Sequence, residues 1–426
     1  MYKPGVQVVP LNLSKIPTPR MPDASRLPVT WSGPIDAKPL ADEPLVRWEK
    51  LDPDPVAPSS HVKGWRPLKG RSPLFDDSSR KNVARTGEDA SSIEIMPGKK
   101  DRVGLVDRRE TAASVFFYQG QRLVEERAGI EDWYGSSVIK LRTGANEAAY
   151  IGPSEAKKPE VCQDRIGVEY DERNQLVSVA LADGVSQSTF PGSVADMAVR
   201  LGVRLAAENV QLGSVGQNIS QHLVGMLAQI EGAIRSTVPP IDKRKELRDE
   251  LVARVSQQVS ADFLDDDFFD RMMDDRKIGS STLFLAVREA RMVGGQRVDR
   301  MHYANIGDGG YAIVGPRVNE AYRFESPSKA PPQLYAGNTT SVTEQKVDSG
   351  HIDVPEGHLL LVFTDGVFNN GLFTTNSLPG YLHRLYATGL TQPQDLTRQF
   401  LFDVGGGGSA APGWVDDTAI FCHRAD

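Results

Sequence analysis

The order of periodic segments along this chain predicts an α+β fold. Strand-like runs come first, then long stretches of helical period, then strands again, then helices. Elements segregated in this way do not build regular βαβ units. A second observation is the shape of the strand-like runs: 176–182 and 359–364 are short, apolar and each closed by Asp-Gly, as buried strands entering a tight turn are. A third is the spacing of Ile219, Leu223, Met226, Leu227, Ile230 and Ile234, which lie on one face of a helix.

Residues 1–105 read as a largely disordered segment. Pro recurs from Pro4 to Pro73 among Ser, Asp, Lys and Arg, so little apolar surface is available to offset chain entropy. Trp31, Trp48 and Trp65 stand out there, either as isolated apolar spots or as anchors that dock a partner or the chain's own folded domain. Residues 106–134 read as a connecting, partly ordered segment, with a short strand or helix within 111–127. The main folded domain is expected to span 135–426.

Residues 136–141 read as a strand. Runs 165–170 and 176–182 pair around the polar turn Asp171-Glu172-Arg173-Asn174. Val194, Met197, Ala198, Leu201 and Leu205 mark a first helix. The Ile219–Ile234 face marks a second, stopped by Pro239-Pro240, and Leu247, Leu251, Val255 and Val259 mark a third. An acidic stretch with Phe263, Phe268 and Phe269 follows over 262–275, and about 211–275 reads as a helical insertion. Strands return at 282–287, 301–306, 311–314 and 359–364. Short helices follow around Tyr381–Tyr386 and Leu396–Leu401, and 418–422 reads as a last strand. Gly405 to Gly408 reads as a loop without the Lys-Ser/Thr of a phosphate-binding loop.

The 426 residues are 39% hydrophobic and 25% charged, an ordinary globular balance. The net charge of −7 argues against nucleic acid and anionic membrane as partners. With two cysteines far apart, no apolar stretch of signal-peptide type and no run long enough to span a bilayer, the expectation is a cytoplasmic protein. Seven His residues form no nucleophile–base pattern, and no Gly-x-Ser-x-Gly element is present.

The chemistry is carried by Asp. Gln163-Asp164, Ala182-Asp183-Gly184, Gly307-Asp308-Gly309, Thr364-Asp365-Gly366 and Asp416-Asp417 recur in order, three of them at apolar runs. An acid at the end of a buried strand is costly without a partner, and a hard cation such as magnesium or manganese is a fitting one. Each motif has a plainer reading. Asp-Gly is a common turn, Asp308-Gly309-Gly310 alone reads as a hairpin turn between 301–306 and 311–314, and Asp416-Asp417 alone reads as a solvated loop. The ordered set points instead to an oxygen-ligand metal centre.

With these motifs the chain resembles the metal-dependent Ser/Thr protein phosphatases of type 2C over about 135–426. The matching elements are Cys162-Gln163-Asp164-Arg165, Ala182-Asp183-Gly184-Val185, Gly279-Ser280-Ser281-Thr282-Leu283, Ala304-Asn305-Ile306-Gly307-Asp308, Phe363-Thr364-Asp365-Gly366-Val367 and Asp416-Asp417-Thr418-Ala419-Ile420. The resemblance implies an antiparallel β-sandwich flanked by helices in α-β-β-α layers, with two Mn2+ or Mg2+ ions in a cleft at one end. It implies that Asp183 bridges the metals, that Gly184 offers its carbonyl, and that Asp365 and Asp416 bind the second metal. Asp164 would hold metal-bound waters, Asp417 would support the ligand beside it, and Asp308 would stabilise a core turn. Asp275 or Asp274 is a candidate for a weak third metal.

The resemblance implies hydrolysis of phospho-Ser and phospho-Thr by direct attack of a metal-bridging water, on a phosphoprotein substrate within a Ser/Thr kinase system. Residues 320–348 would form a flap beside the cleft. The chain departs from the family pattern at Ser186-Gln187, at Cys162, and in having no Arg just before Cys162, where Lys157, Lys158 or Arg165 would have to hold the substrate phosphate. The alternative functions are an inactive scaffold on the same fold, which three unpaired buried acids argue against, and a different metal-dependent phosphoesterase such as a nuclease.

Overall fold

The computed structural model describes residues 92–97, 103–108, 113–119, 122–133, 136–154, 162–185, 188, 191–211, 219–238, 240–246, 248–249, 270–271, 273–324, 333–337, 342, 345–407 and 413–426. The N-terminal tryptophans, Lys157 and Lys158, Ser186-Gln187, the phenylalanines of 262–269 and Pro327, Pro331 and Pro332 lie outside the described residues.

Strands β1 (Ser92–Pro97) and β2 (Val103–Arg108) pair as an antiparallel hairpin across the junction of the largely disordered segment expected over 1–105 and the connecting segment after it. Strands β3 (Ala113–Gln119), β4 (Arg122–Arg127), β5 (Gly129–Trp133), β6 (Ser136–Lys140), β7 (Glu147–Gly152), β8 (Arg165–Tyr170) and β9 (Leu176–Ala182) follow. Helices α1 (Pro191–Gln211) and α2 (Ile219–Ser236) come next. Strands β10 (Ser280–Ser281), β11 (Leu283–Val293), β12 (Gln296–Ile306), β13 (Gly310–Val314), β14 (Ala321–Arg323), β15 (Leu334–Tyr335), β16 (Asp348–Pro355) and β17 (Leu359–Phe363) lead to helices α3 (Gly366–Asn369), α4 (Leu378–Ala387) and α5 (Pro393–Val404). Strand β18 (Thr418–Arg424) is the last.

Two seven-stranded sheets form the body, in the orders β16-β12-β11-β9-β8-β3-β4 and β14-β13-β17-β18-β7-β6-β5. Pairing is antiparallel except between β3 and β8. The predicted α+β class and the α-β-β-α layering are both present. Strands β3 to β5 are members of these sheets, so the sandwich takes in residues from Ala113, well before position 135.

Alternation along the strands explains the layers. In β17, Leu360 and Val362 face the inter-sheet core with Val179, Leu181, Phe284 and Phe421. Leu359, Leu361 and Phe363 point the other way, against Leu382, Phe400 and Trp414 of the α4–α5 layer. Such two-sided burial is why β17 is an uninterrupted apolar run. On the other sheet, Leu285 and Ala304 pack under Val194, Met197, Leu227 and Ile230 of α1 and α2.

Two strand boundaries differ from expectation for one reason. β11 runs on to Val293 and β12 begins at Gln296, as a long hairpin whose ends beside the turn, 290–293 and 296–297, are exposed. The sequence reading kept only the buried apolar halves. The Asp308-Gly309-Gly310 turn also does not close a hairpin. β12 and β13 belong to different sheets, so it is the crossover from one sheet to the other.

Candidate metal centre

Register brings the Asp motifs to one end of the sandwich. Arg165 pairs with Ala182, so the start of β8 and the end of β9 lie side by side, and Asp164 and Asp183 extend from them. Phe363 pairs with Ile420 on one side and with Gly310 on the other. The Asp365 turn therefore lies between Asp416-Asp417, which precede β18, and Asp308, which precedes β13.

Each backbone at this end is locked by a neighbour. Thr282 N–H donates to the Asp183 carbonyl at 2.8 Å, Thr282 Oγ1 accepts the Asp183 N–H at 2.9 Å, and Ser281 Oγ donates to the same carbonyl at 2.9 Å. This gives the Gly279–Leu283 motif its physical meaning: it fixes the loop that carries Asp183. Gly184 N–H donates to the Gln163 carbonyl at 3.2 Å, and a Cβ on Gly184 would lie 2.7 Å from the Pro191 carbonyl at the start of α1. No larger residue fits there without moving the helix.

Asp417 is buried and holds two chain segments at once. Its Oδ1 accepts the Ser154 N–H and its Oδ2 the Gln163 N–H, both at 2.8 Å. Asp164 Oδ2 accepts Thr364 Oγ1 at 2.6 Å and the Ala419 N–H at 2.9 Å. Asp164 Oδ1 is buried and has no hydrogen-bond partner among the described residues. Asn369, one helical turn after Asp365, donates to Asp365 Oδ2 at 2.7 Å and to Asp416 Oδ2 at 3.0 Å.

The acids raise one another's proton affinity. Burial, then the Asp417 charge, pushes Asp164 up to about 8. Burial, then Asp308 and Asp416, pushes Asp365 up to about 7. Burial, then Asp164 and Asp365, holds Asp183 well above the usual carboxylate range. Asp308 is raised by burial, against the pull of Arg323. A site of this kind, made of carboxylate and carbonyl oxygens with like charges in a desolvated space, suits a hard divalent cation. The orphaned Asp164 oxygen fits the same conclusion. Among the described residues, no three His, Cys, Asp or Glu side chains converge as a ready-made cage. Asn369 occupies oxygens of Asp365 and Asp416 instead.

Asp183, Gly184, Asp365, Asp416, Asp164 and Asp417 are thus at one end of the molecule. Asp308, expected only to stabilise a turn, is also within electrostatic reach of Asp365 and Asp416. Asp275, the third-metal candidate, is ion-paired to Arg244. Arg165, a candidate for holding phosphate, is buried, and its guanidinium donates to the carbonyls of Cys162 and Asp164, so it is committed to the interior. Lys158 lies outside the described residues. Asn369 and Thr364 had no role in the sequence reading. The i,i+4 spacing of Asp365 and Asn369 across a turn is the signal that could have found Asn369.

Of the segment expected to form a flap, Tyr335 and Val342 are tied to α2. Buried Glu231 accepts the Val342 N–H at 2.8 Å and the Tyr335 N–H at 3.3 Å. Strand β15 pairs with β10, whose Ser281 holds the Asp183 carbonyl.

The family model described as "Protein phosphatase 2C" matches residues 151–400. A Danio rerio protein named "Protein phosphatase PTC7 homolog" is 33% identical over 102 residues, covering 22% of this chain and 32% of the relative. Its Xenopus laevis counterpart is 34% identical over 102 residues, with the same coverage. The chain thus spans about a third of the length of the curated relatives it matches. Among solved structures, the photosystem II phosphatase PBCP is 12% identical with a TM-score of 0.42, over 66% of this chain and 99% of that one. PppA of Pseudomonas aeruginosa is 16% identical with a TM-score of 0.39, over 66% of this chain and 97% of that one.

Proposed function

The chain belongs to the protein phosphatase 2C family, and on that premise we propose that it is a metal-dependent protein Ser/Thr phosphatase. The observation that carries the proposal is the gathering of Asp164, Asp183, Asp308, Asp365 and Asp416 in mutual electrostatic contact at one end of the sandwich. A purely structural site has no reason to gather so many acids that raise one another's proton affinity.

In this reading Asp183, the Gly184 carbonyl, Asp365 and Asp416 hold two Mn2+ or Mg2+ ions. Such ions, when bound, supply a nucleophile at neutral pH and neutralise a phosphoryl group. The chain's own residues do the positioning. Ser281 and Thr282 fix the Asp183 loop, Thr364 orients Asp164, Asn369 spaces Asp365 from Asp416, and Asp417 keeps the segments bearing Ser154 and Gln163 together. The substrate would be a phosphoprotein, the partner of a Ser/Thr kinase system.

The experiment is release of phosphate from an aryl phosphate and a phosphothreonine peptide, in chelator and then with added manganese or magnesium. Metal-dependent release that disappears in Asp365→Asn is the expected result. A second reading, a scaffold with weak or no activity, is favoured by the Asn369 bridge, which ties up Asp365 and Asp416. Well-folded protein that releases no phosphate with either metal would select it.

A further inference from the structure

A basic side chain beside the acids would help to hold the substrate's phosphoryl oxygens, and Arg165 is turned into the interior. Arg323 is placed differently. It ends edge strand β14, paired with Gly310, two residues after Asp308. The following residue, Phe324, donates its N–H to the Gly309 carbonyl at 2.6 Å, which ties this strand end to the Asp308 crossover. The Arg323 guanidinium carbon lies 5.0 Å from the ring centroid of Phe368, three residues after Asp365. Two contacts from different elements thus fix it between the Asp308 crossover and the Asp365 turn. Its charge opposes the burial of both acids.

Arg323 is half-buried, and among the described residues it makes no close ion pair. A guanidinium placed over an aromatic ring can still donate through N–H groups that the ring does not engage. A guanidinium that near both acids has the donor pattern to take two oxygens of a phosphoryl group at once.

We propose that Arg323 is the phosphate-binding residue of this site, gripping the phosphoryl oxygens of the substrate from the β14 edge. The inference rests on the phosphatase reading above. Calorimetry on the full chain tests it, using inorganic phosphate with manganese present and manganese alone, for the wild type, Arg323→Ala and Arg323→Lys.

Arg323→Ala should weaken inorganic phosphate by about 10–100-fold, the loss of charged hydrogen bonds. It should leave manganese affinity equal or tighter, since a neighbouring cation has been removed. Arg323→Lys should recover part of the phosphate affinity, because it restores charge without the fork. Unchanged phosphate affinity in Arg323→Ala overturns the proposal. So does a parallel loss of manganese and phosphate affinity, which marks a merely structural role. Wild-type protein that binds manganese but neither binds phosphate nor releases it from a phosphopeptide would instead overturn the phosphatase reading on which the proposal stands.

Discussion

The Thr364 hydroxyl donates to the Asp164 carboxylate at 2.6 Å, joining residues 200 positions apart in the chain. The same oxygen of Thr364 accepts the Ala419 N–H at 2.9 Å. One side chain thus ties the end of β17 to the starts of β8 and β18, the frame on which the acids stand.

Thr364→Val keeps the shape and removes both hydrogen bonds. Asp164 is then left buried with only the Ala419 N–H. The expected cost is about 1–3 kcal/mol of stability, read by urea unfolding, together with loss of metal-dependent activity. Thr364→Ser retains the hydroxyl and should recover most of both. A valine variant as stable and active as the wild type would show that Asp164 needs no orientation.

Asn369 should matter to the metal rather than to the fold. It joins Asp365 and Asp416 at an exposed surface, so its loss removes little packing. Partners that orient metal ligands typically contribute 10–100-fold in affinity, and Asn369→Ala should weaken manganese by about that factor. A titration of manganese into wild type and variant decides it. Tighter binding in the variant would mean that the amide competes with the cation and would favour the scaffold reading.

A buried charge cluster away from the acid cluster predicts a pH dependence of stability. His423 on β18 meets Glu147 Oε1 at 2.9 Å through Nδ1 and Asp299 Oδ2 at 2.8 Å through Nε2, and Asp299 also pairs with Arg288. It links the two sheets, since Asp299 lies on β12. Burial works against the imidazolium, but the two carboxylates outweigh it and the His423 pKa is raised. A raised folded pKa means that this stabilisation is full below the unfolded value of about 6.5 and is lost as pH rises through the folded value.

Asp299 runs the opposite way. Burial raises it, but His423 and Arg288 prevail and its pKa is lowered. Its contribution is present above the unfolded value and lost as pH falls through the folded one. His423→Gln should cost about 3–5 kcal/mol near pH 6, and the gap to wild type should narrow as pH rises above this and wild-type His423 loses its proton. Urea unfolding of both proteins across that range checks it. A gap constant with pH would show that His423 is neutral in the fold.

Much of this was legible in the sequence, for a physical reason. Asp183 and Asp365 end apolar runs that are buried on both faces, and Gly366 follows Asp365 because a Cβ there would lie 2.0 Å from the Asp417 carbonyl. Local pattern and tertiary demand coincide at such points. They do not coincide at Asp308, where the same Asp-Gly-Gly chemistry serves a hairpin or a crossover, and only sheet membership separates the two. Strand β16 was missed because only Ile352 and Val354 of its eight residues are buried. Asn369 and Arg323 are single polar residues in ordinary surroundings, and their meaning comes from what register places beside them.

The acid cluster also predicts a trade between stability and activity. In metal-free protein, Asp183 is raised first by burial and then by Asp164 and Asp365, which makes its charge a burden on the fold. Asp183→Asn removes that charge while keeping the shape, and its amide can donate to Asp164 without first having to take up a proton. The metal-free variant should therefore be more stable than metal-free wild type by about 1 kcal/mol, a rise in Tm of roughly 2–4 °C. Adding manganese should reverse the order, because wild type gains stability from the ion and the variant gains less. Phosphatase activity should be absent from the variant throughout. Thermal unfolding of both proteins in chelator and in manganese tests the crossing of the two curves. A variant less stable than wild type in chelator would mean that Asp183 is held by a partner, and the site would then not depend on a cation for its charge balance.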